Sequence, residues 1–315
     1  MKTRKKILVT GGCGAIGRNL VKNLSKDGNY DIYVLDDLSS SKELPPMRNV
    51  EFIHISVTNS EKLTPLLSKL EPNFIFHLAA HFANQNSVDY PVSDIMTNIL
   101  GFVHVLESQR GNQNLEKIVY SSSSCVYGNI QFMNEEADVS PYETPYAINK
   151  YVGELYCKYY SEIHNLPTVC VRIFNTFGPG EYPGEYRNVI PNFIAKALKD
   201  EPLVITGTGN ETRDFTFVDN TVDLLCKSAF SEYRAGEVFN SGTGTVQKIS
   251  DIAKMIIALT DSKSTISFTG ARRWDHVSNR RSDILKSREA LGYSPVLDIE
   301  NQLQATCEWM RNEFK

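Results

Sequence analysis

Through the first 175 residues, short apolar runs alternate with longer amphipathic stretches. The runs at 7–9, 32–35, 52–55, 74–78, 118–120 and 168–173 have the length and the β-branched or aromatic character of strands. Between them, 17–24, 61–70 and 95–109 carry apolar residues at helical spacing. This alternation predicts an α/β fold, a doubly wound parallel sheet with helices on both faces. After Asn175 the texture changes. Residues 177–187 are rich in Gly, Pro and Tyr and read as loop, and shorter elements follow at 192–198, 204–206, 222–230 and 249–259. The pattern divides the chain into a sheet domain over 1–176 and a smaller α/β lobe over 177–315. The chain is expected to cross back between them, for example over 213–231.

Bulk properties exclude several classes. A hydrophobic content of 41% and a charged content of 22% are ordinary for a soluble globular protein. A net charge of −4 gives no electrostatic case for nucleic-acid or membrane binding. The basic start Met1-Lys2-Thr3-Arg4-Lys5-Lys6 is followed by an apolar run too short for a signal core, so a cytoplasmic protein is expected. Six cysteines without a CxxC pair read as reduced, mostly buried thiols. His77 and His81 are four apart, but His77 closes a strand, so no metal site is expected.

The first strand runs into Thr10-Gly11-Gly12-Cys13-Gly14-Ala15-Ile16-Gly17 and then a helix. Such a turn lets backbone N–H groups and the positive helix end approach a pyrophosphate. Asp36 closes the second strand, where a carboxylate would accept the adenosine ribose hydroxyls and repel a 2′-phosphate, so NAD is favoured over NADP. A glycine turn used only for close packing is the competing reading. Leu78, Ala79 and Ala80 end the fourth strand with residues small enough for a flat cofactor, while His77 reads as a core histidine.

Two further features carry chemistry. A serine run, Ser121–Ser124, leads into Cys125-Val126-Tyr127-Gly128 at the carboxyl end of a strand, where open α/β sheets bind ligands. Tyr146 and Lys150 are one helical turn apart, and a lysine ammonium beside a phenol favours the phenolate. Alone, that spacing arises by chance roughly once in a chain of this composition.

In this order the motifs resemble the extended short-chain dehydrogenase/reductases that act on nucleotide-diphosphate sugars, over nearly the whole chain. The resemblance rests on TGGCGAIG, the Asp36 position, HLAA, the serine run ending in VYG, Tyr146-x-x-x-Lys150 and RIFNTFGPG at 172–180. It continues with RNVIPNF at 187–193, TRDFTFVD at 212–219 and RRSDILKSREALGYSP at 280–295. It implies Tyr146 as catalytic base and acid, Ser123 as its assisting hydroxyl, and Lys150 on the nicotinamide ribose. Asn98 is similar to the asparagine that precedes the central dimer helix and is counted with the cofactor site. Ser56 and Val57 stand where many relatives have Asp-Ile near the adenine, which loosens that contact. Asn175, Asn188, Val189, Arg213 and Arg273 match positions that hold the nucleotide diphosphate. Arg280 stands where some hexose 4-epimerases have tyrosine; it would favour an acidic or bulkier sugar substituent, or bind phosphate.

The resemblance also bears on the reaction. Relatives that dehydrate the sugar carry Asp-Glu between the catalytic hydroxyl residue and VYG, and decarboxylating relatives carry Glu just before VYG. Here those positions are Ser124 and Cys125. Without a carboxylate there, the expectation is a 4-epimerase: oxidation at sugar C4 and return of the hydride to the opposite face, with a UDP-sugar favoured. A dehydratase, reductase or dehydrogenase of the same family is the alternative, and a non-catalytic NAD-binding regulator is a third reading. A homodimer through a four-helix bundle formed by the stretches near 92–109 and 146–163 is also implied.

Overall fold

The computed structural model describes residues 4–271 and 278–314. Among these, seven parallel strands form the central sheet: β1 (Lys5–Thr10), β2 (Tyr30–Asp36), β3 (Val50–His54), β4 (Phe74–His77), β5 (Lys117–Ser123), β6 (Thr168–Ile173) and β7 (Glu237–Ser241), in the order β7-β6-β5-β4-β1-β2-β3. The reversal of direction beside β1 is the switch point at which doubly wound sheets open a ligand crevice.

Strand alternation divides the core in two. Ile7 and Val9 face helices α1 (Ala15–Leu24) and α6 (Val218–Ala229) through Leu20, Val21, Leu224 and Leu225. Leu8 faces the opposite layer, where Leu67 of α2 (Ser60–Leu70), Phe102 and Leu106 of α3 (91–108) and Cys157 of α4 (Pro145–His164) pack. Helix α3 is not uniform: a π turn at Met96–Leu100 separates Pro91–Ile95 from Gly101–Ser108.

The second lobe has its own core, built on α5 (Val189–Ala197), α7 (Ile249–Thr260) and α8 (Ile299–Glu313) around Phe193, Ile194, Ile205, Ile252, Leu303 and Met310. Between visits to this lobe the chain returns to the sheet, as α6 and then as β7, which pairs with β6 from Glu237↔Val169 to Ser241↔Ile173. The hydrophobic pattern does not announce β7. Among the described residues, no helix is long and apolar enough to cross a membrane.

Candidate active site

A cleft of about 960 Å³ lies between the strand ends and the second lobe. On its sheet side the glycine loop sets the shape. Gly11 has φ +66°, and a Cβ there would lie 2.6 Å from the Ala79 nitrogen. A Cβ on Gly17 would lie 2.4 Å from the Gly11 carbonyl oxygen. Both positions therefore demand glycine. Gly14 caps α1 without a side chain, so the first N–H groups of the helix are left open to an anion. The Asp36 carboxylate is held at the end of β2 by the Cys13 N–H (2.9 Å), the Leu38 N–H (2.9 Å) and the Ser41 hydroxyl (3.0 Å). Gly11, Gly14, Ala15, Ile16, Gly17, Asp36, Ser56, Val57, Leu78, Ala79 and Ala80 all line the cleft. Close-packed glycines, an open helix N-terminus and a fixed carboxylate fit a dinucleotide.

Asn98 lies on the π turn of α3. It is buried behind the cleft wall, where its Oδ1 accepts from the His81 N–H (2.8 Å) and its Nδ2 donates to the His81 carbonyl (3.2 Å) and to Asp94 (2.8 Å). Its amide thus joins the His81 backbone to Asp94.

The reacting centre forms where β5 meets α4. Ser123 ends β5, and its Oγ accepts from the Cys125 N–H (3.2 Å), starting a 3₁₀ turn. Thr144 caps α4 by accepting from the Ala147 N–H (3.2 Å), with Pro145 in the first turn where a missing N–H costs nothing. The Tyr146 N–H donates to the Ser87 hydroxyl (3.0 Å). Together these bring Ser123, Tyr146 and Lys150 to one end of the cleft.

Burial dominates the electrostatics of both Tyr146 and Lys150. Burial pushes the Tyr146 phenol well above its ordinary range, Cys125 and Asp94 push the same way, and the hydrogen bond with Ser123 pulls back. The Lys150 Nζ lies 5.7 Å from the Tyr146 ring and donates to the Ser121 carbonyl at 2.8 Å. Burial lowers Lys150 to about 8, opposed by the negative influence of Asp94 and Cys125. Burial is the largest influence on the phenol and favours its protonated form.

Behind this centre, Arg172 of β6 clasps Glu154 of α4 at 2.9 and 2.8 Å, and the Ser122 hydroxyl donates to the same carboxylate. Gly153 lets α4 sit directly on β5, since a Cβ there would be 2.1 Å from the Tyr120 hydroxyl oxygen. His77 is fully buried, bonded to the Thr10 hydroxyl (2.9 Å) and lowered to about 3 by burial. It is a neutral core residue. Among the described residues, no group of three or more His, Cys, Asp or Glu is arranged to hold a metal.

Asn175, Asn188, Val189, Arg213 and Arg280 line the opposite wall. Arg273 lies outside the described residues. Asn175 donates to the Asp214 carbonyl (3.2 Å), and Arg213 donates to the Thr212 carbonyl (2.9 Å). Arg280 is buried and pairs with the half-buried Glu143 at 3.1 Å, so its charge is already met by a carboxylate. Four wall or near-wall residues have no counterpart in the sequence-based expectations. Asn84 donates to the Cys125 Sγ (3.4 Å) and accepts from the Thr144 hydroxyl (2.9 Å). Glu181 accepts from Asn188 (2.9 Å), and burial pushes its carboxyl up to about 7. His81 and Asp94 form a buried polar cluster with Asn98. The available signal was weak: Glu181 stands seven residues from Asn188, and Asp94 one helical turn before Asn98.

A switch-point cleft with a glycine cradle, a fixed carboxylate at the end of β2 and a Tyr–Lys pair fits a dinucleotide-dependent enzyme of the short-chain dehydrogenase/reductase type. More narrowly, the chain belongs to the NAD-dependent epimerase/dehydratase family, whose sequence model matches residues 7–242. It is 31% identical over 315 residues to a putative UDP-glucose 4-epimerase of Methanocaldococcus jannaschii, covering 97% of this chain and 98% of the relative. It is also 31% identical over 324 residues to a UDP-N-acetyl-α-D-glucosaminuronate decarboxylase of Bacillus cytotoxicus, covering 98% of each. The solved structure of epimerase Mth375 from Methanothermobacter thermautotrophicus superposes with a TM-score of 0.93 at 40% identity, covering 99% of this chain and 93% of that one. The cofactor is NAD, on which the family depends.

Proposed function

We propose that this protein is a nucleotide-sugar 4-epimerase acting on a UDP-sugar. The observation that carries the reading is the residue pair beside the reacting centre. Ser124, which is buried, and Cys125, whose sulfur accepts from Asn84, carry no carboxylate for elimination or decarboxylation. The carboxylates that line the cleft, Asp36, Asp37, Glu181, Glu185 and Glu211, belong to the end of β2, to the loop after it, or to segments beyond β6. UDP in the names of the archaeal and bacterial relatives supports the nucleotide.

NAD, when bound, supplies the acceptor and then the donor of the C4 hydride, and its positively charged ring favours the phenolate that burial opposes. Tyr146 takes the proton of the sugar C4 hydroxyl and later returns it, and Ser123 hydrogen-bonds the same oxygen. Lys150 holds the nicotinamide ribose. Arg213, Asn175 and Asn188 hold the diphosphate and nucleotide while the oxidised sugar turns its other face. The Arg280–Glu143 pair presents little net charge, which favours a neutral sugar over an acidic one.

The cofactor assignments of Gly11, Gly14, Gly17 and Asp36 belong to the same proposal, as does a homodimer. Helices α3 and α4 pack together and leave Val92, Ile95, Leu100, Leu155, Tyr159 and Ile163 exposed, an apolar surface suited to a second copy. The test is incubation of the NAD-loaded protein with UDP-glucose, UDP-N-acetylglucosamine and their uronic acids, following C4 stereochemistry and NADH absorbance together. Interconversion of C4 epimers without free NADH is expected, with activity falling at least ~10³-fold in Tyr146→Phe. Net NADH release, carbon dioxide or a 4-keto-6-deoxy product would replace the reading with another reaction of the family.

A further inference from the structure

The start of α5 breaks a local rule. Asn188 precedes its first residue, and Asn is among the best N-capping residues. The Asn188 backbone (φ −61°, ψ 164°) is in the extended conformation that a cap requires, yet its side chain makes no cap bond. Asn59 on α2, Thr144 on α4 and Asp298 on α8 all cap in the ordinary way. The third residue of α5 is Pro191, which has no N–H, so Ile190 supplies the N–H that a cap would take. What draws Asn188 aside is Glu181. Its Oε1 accepts from the Asn188 Nδ2 at 2.9 Å, and the same nitrogen makes a longer contact, 3.5 Å, to the Thr176 carbonyl. Glu181 is itself costly: it is buried, and its Oε2 meets no partner among the described residues. An unpaired buried oxygen calls for a reason, and here both Glu181 and Asn188 line the cleft.

We propose that Glu181 is a positioning residue for the nucleotide: it holds the Asn188 side chain off the end of α5 and keeps the first backbone N–H groups of that helix open to the diphosphate. The ligand named here rests on the nucleotide-sugar reading; the hold on Asn188 does not. Helix α5 is nine residues long, and Val189 at its start lines the cleft. A helix N-terminus attracts an anion through its unpaired N–H groups and partial positive charge, and a capped end has fewer donors to give. Glu181 is fixed from two directions. Asn19 of α1 donates to the Pro179 carbonyl at 2.7 Å, and a Cβ on Gly180 would lie 2.3 Å from the Arg18 Cδ, so the segment before Glu181 is seated on α1. Asn192 of α5 accepts from the Gly184 N–H (2.9 Å) and donates to the Gly184 (3.0 Å) and Arg187 (3.2 Å) carbonyls, which folds the loop between Glu181 and Asn188 back onto α5. Burial favours the protonated form of Glu181, opposed by Arg187 and by the bonds with Asn188, which limits the negative charge set beside the phosphates.

The test compares Glu181→Leu, which removes the acceptor, with Glu181→Gln, which keeps one. Crystals grown without UDP report where Asn188 lies, and calorimetric titration of UDP into the NAD-loaded proteins reports the consequence. In Glu181→Leu the Asn188 Oδ1 is expected to swing onto the Ile190 N–H, and UDP to bind at least ~5-fold more weakly. With the nucleotide sugar that wild type turns over, KM is expected to rise by a similar factor while kcat stays within ~2-fold, because the loss falls on binding. Glu181→Gln is expected to leave Asn188 in place and to bind UDP within ~2-fold of wild type. Glu181→Met, equally without an acceptor of that kind and more adaptable in shape, serves if Leu does not fold. An Asn188 that stays put in the folded apolar variant, or one that moves while UDP affinity is unchanged, overturns the proposal. Failure of wild type to bind UDP removes the nucleotide reading instead, and the position of Asn188 then decides alone whether Glu181 holds the helix end open.

Discussion

Gly17 and Glu181 show how single residues set the limits of the cleft. A methyl group on Gly17 would enter the backbone of Gly11 and Gly12, so Gly17→Ala must move the glycine loop. NAD affinity measured by fluorescence titration is expected to fall at least ~10-fold, with a smaller loss of stability. Glu181 gives a prediction with a definite sign. Its carboxyl, raised from the ordinary 4.5 to about 7, keeps in the folded state a proton that the unfolded chain releases. Stability therefore falls as pH rises from about 4.5 to about 7 and levels off above. Glu181→Gln removes that slope. It is expected to be more stable than wild type by roughly 2–3 kcal/mol above pH 7 and little changed below pH 4.5, as read from urea unfolding across pH. At this scale the sequence was legible where chemistry repeats a motif, as at Gly11, Asp36, Ser123, Tyr146 and Lys150, which the fold brings to one cleft. It was silent on Asp94, Asn149 and His81, whose relation exists only once α3 lies against α4.

At the scale of elements, α4 is the piece on which the reacting centre is hung. Gly→Ala in a helix interior normally stabilises by about 1 kcal/mol. At Gly153 the sign should reverse, because the new Cβ meets the Tyr120 hydroxyl. A loss of about 1–3 kcal/mol is expected in chemical denaturation. The Arg172–Glu154 clasp gives a larger effect: Glu154→Gln leaves a buried guanidinium without its counter-charge and should cost about 3–5 kcal/mol. Most elements could be read from hydrophobic periodicity, because strands such as β1 and β4 are apolar on both faces and helices such as α2 on one. Strand β7 could not. Glu237-Val238-Phe239-Asn240-Ser241 has two apolar residues, and its extended state comes from pairing with β6. The π turn of α3 was equally hidden, since Met96–Leu100 looks like ordinary helix until Asn98 finds its partners.

For the molecule as a whole, the exposed apolar stripe on α3 and α4 is the feature to test first. Leu155→Glu or Val92→Glu places a charge on it, and neither residue is buried in the chain. Both variants are expected to sediment as monomers at micromolar concentration while wild type sediments as a dimer, with little change in monomer folding. A wild-type protein that is monomeric under the same conditions would remove the dimer from the proposed function. Beyond residue 176 the chain returns to the central sheet. Strand β7 arrives only after the helices and ribbons that follow β6.

That late arrival has a consequence for how the protein is made. While residues 174–236 are still leaving the ribosome, β6 has its β5 partner but no neighbour on the other side. Its open backbone groups, flanked by Val169 and Val171, are a template for any other nascent copy. A fragment stopping at residue 176 should therefore scatter light at concentrations where the full chain stays clear. Shielding that seam during synthesis becomes a task for a chaperone, or for a translation rate quick enough to deliver the last strand first.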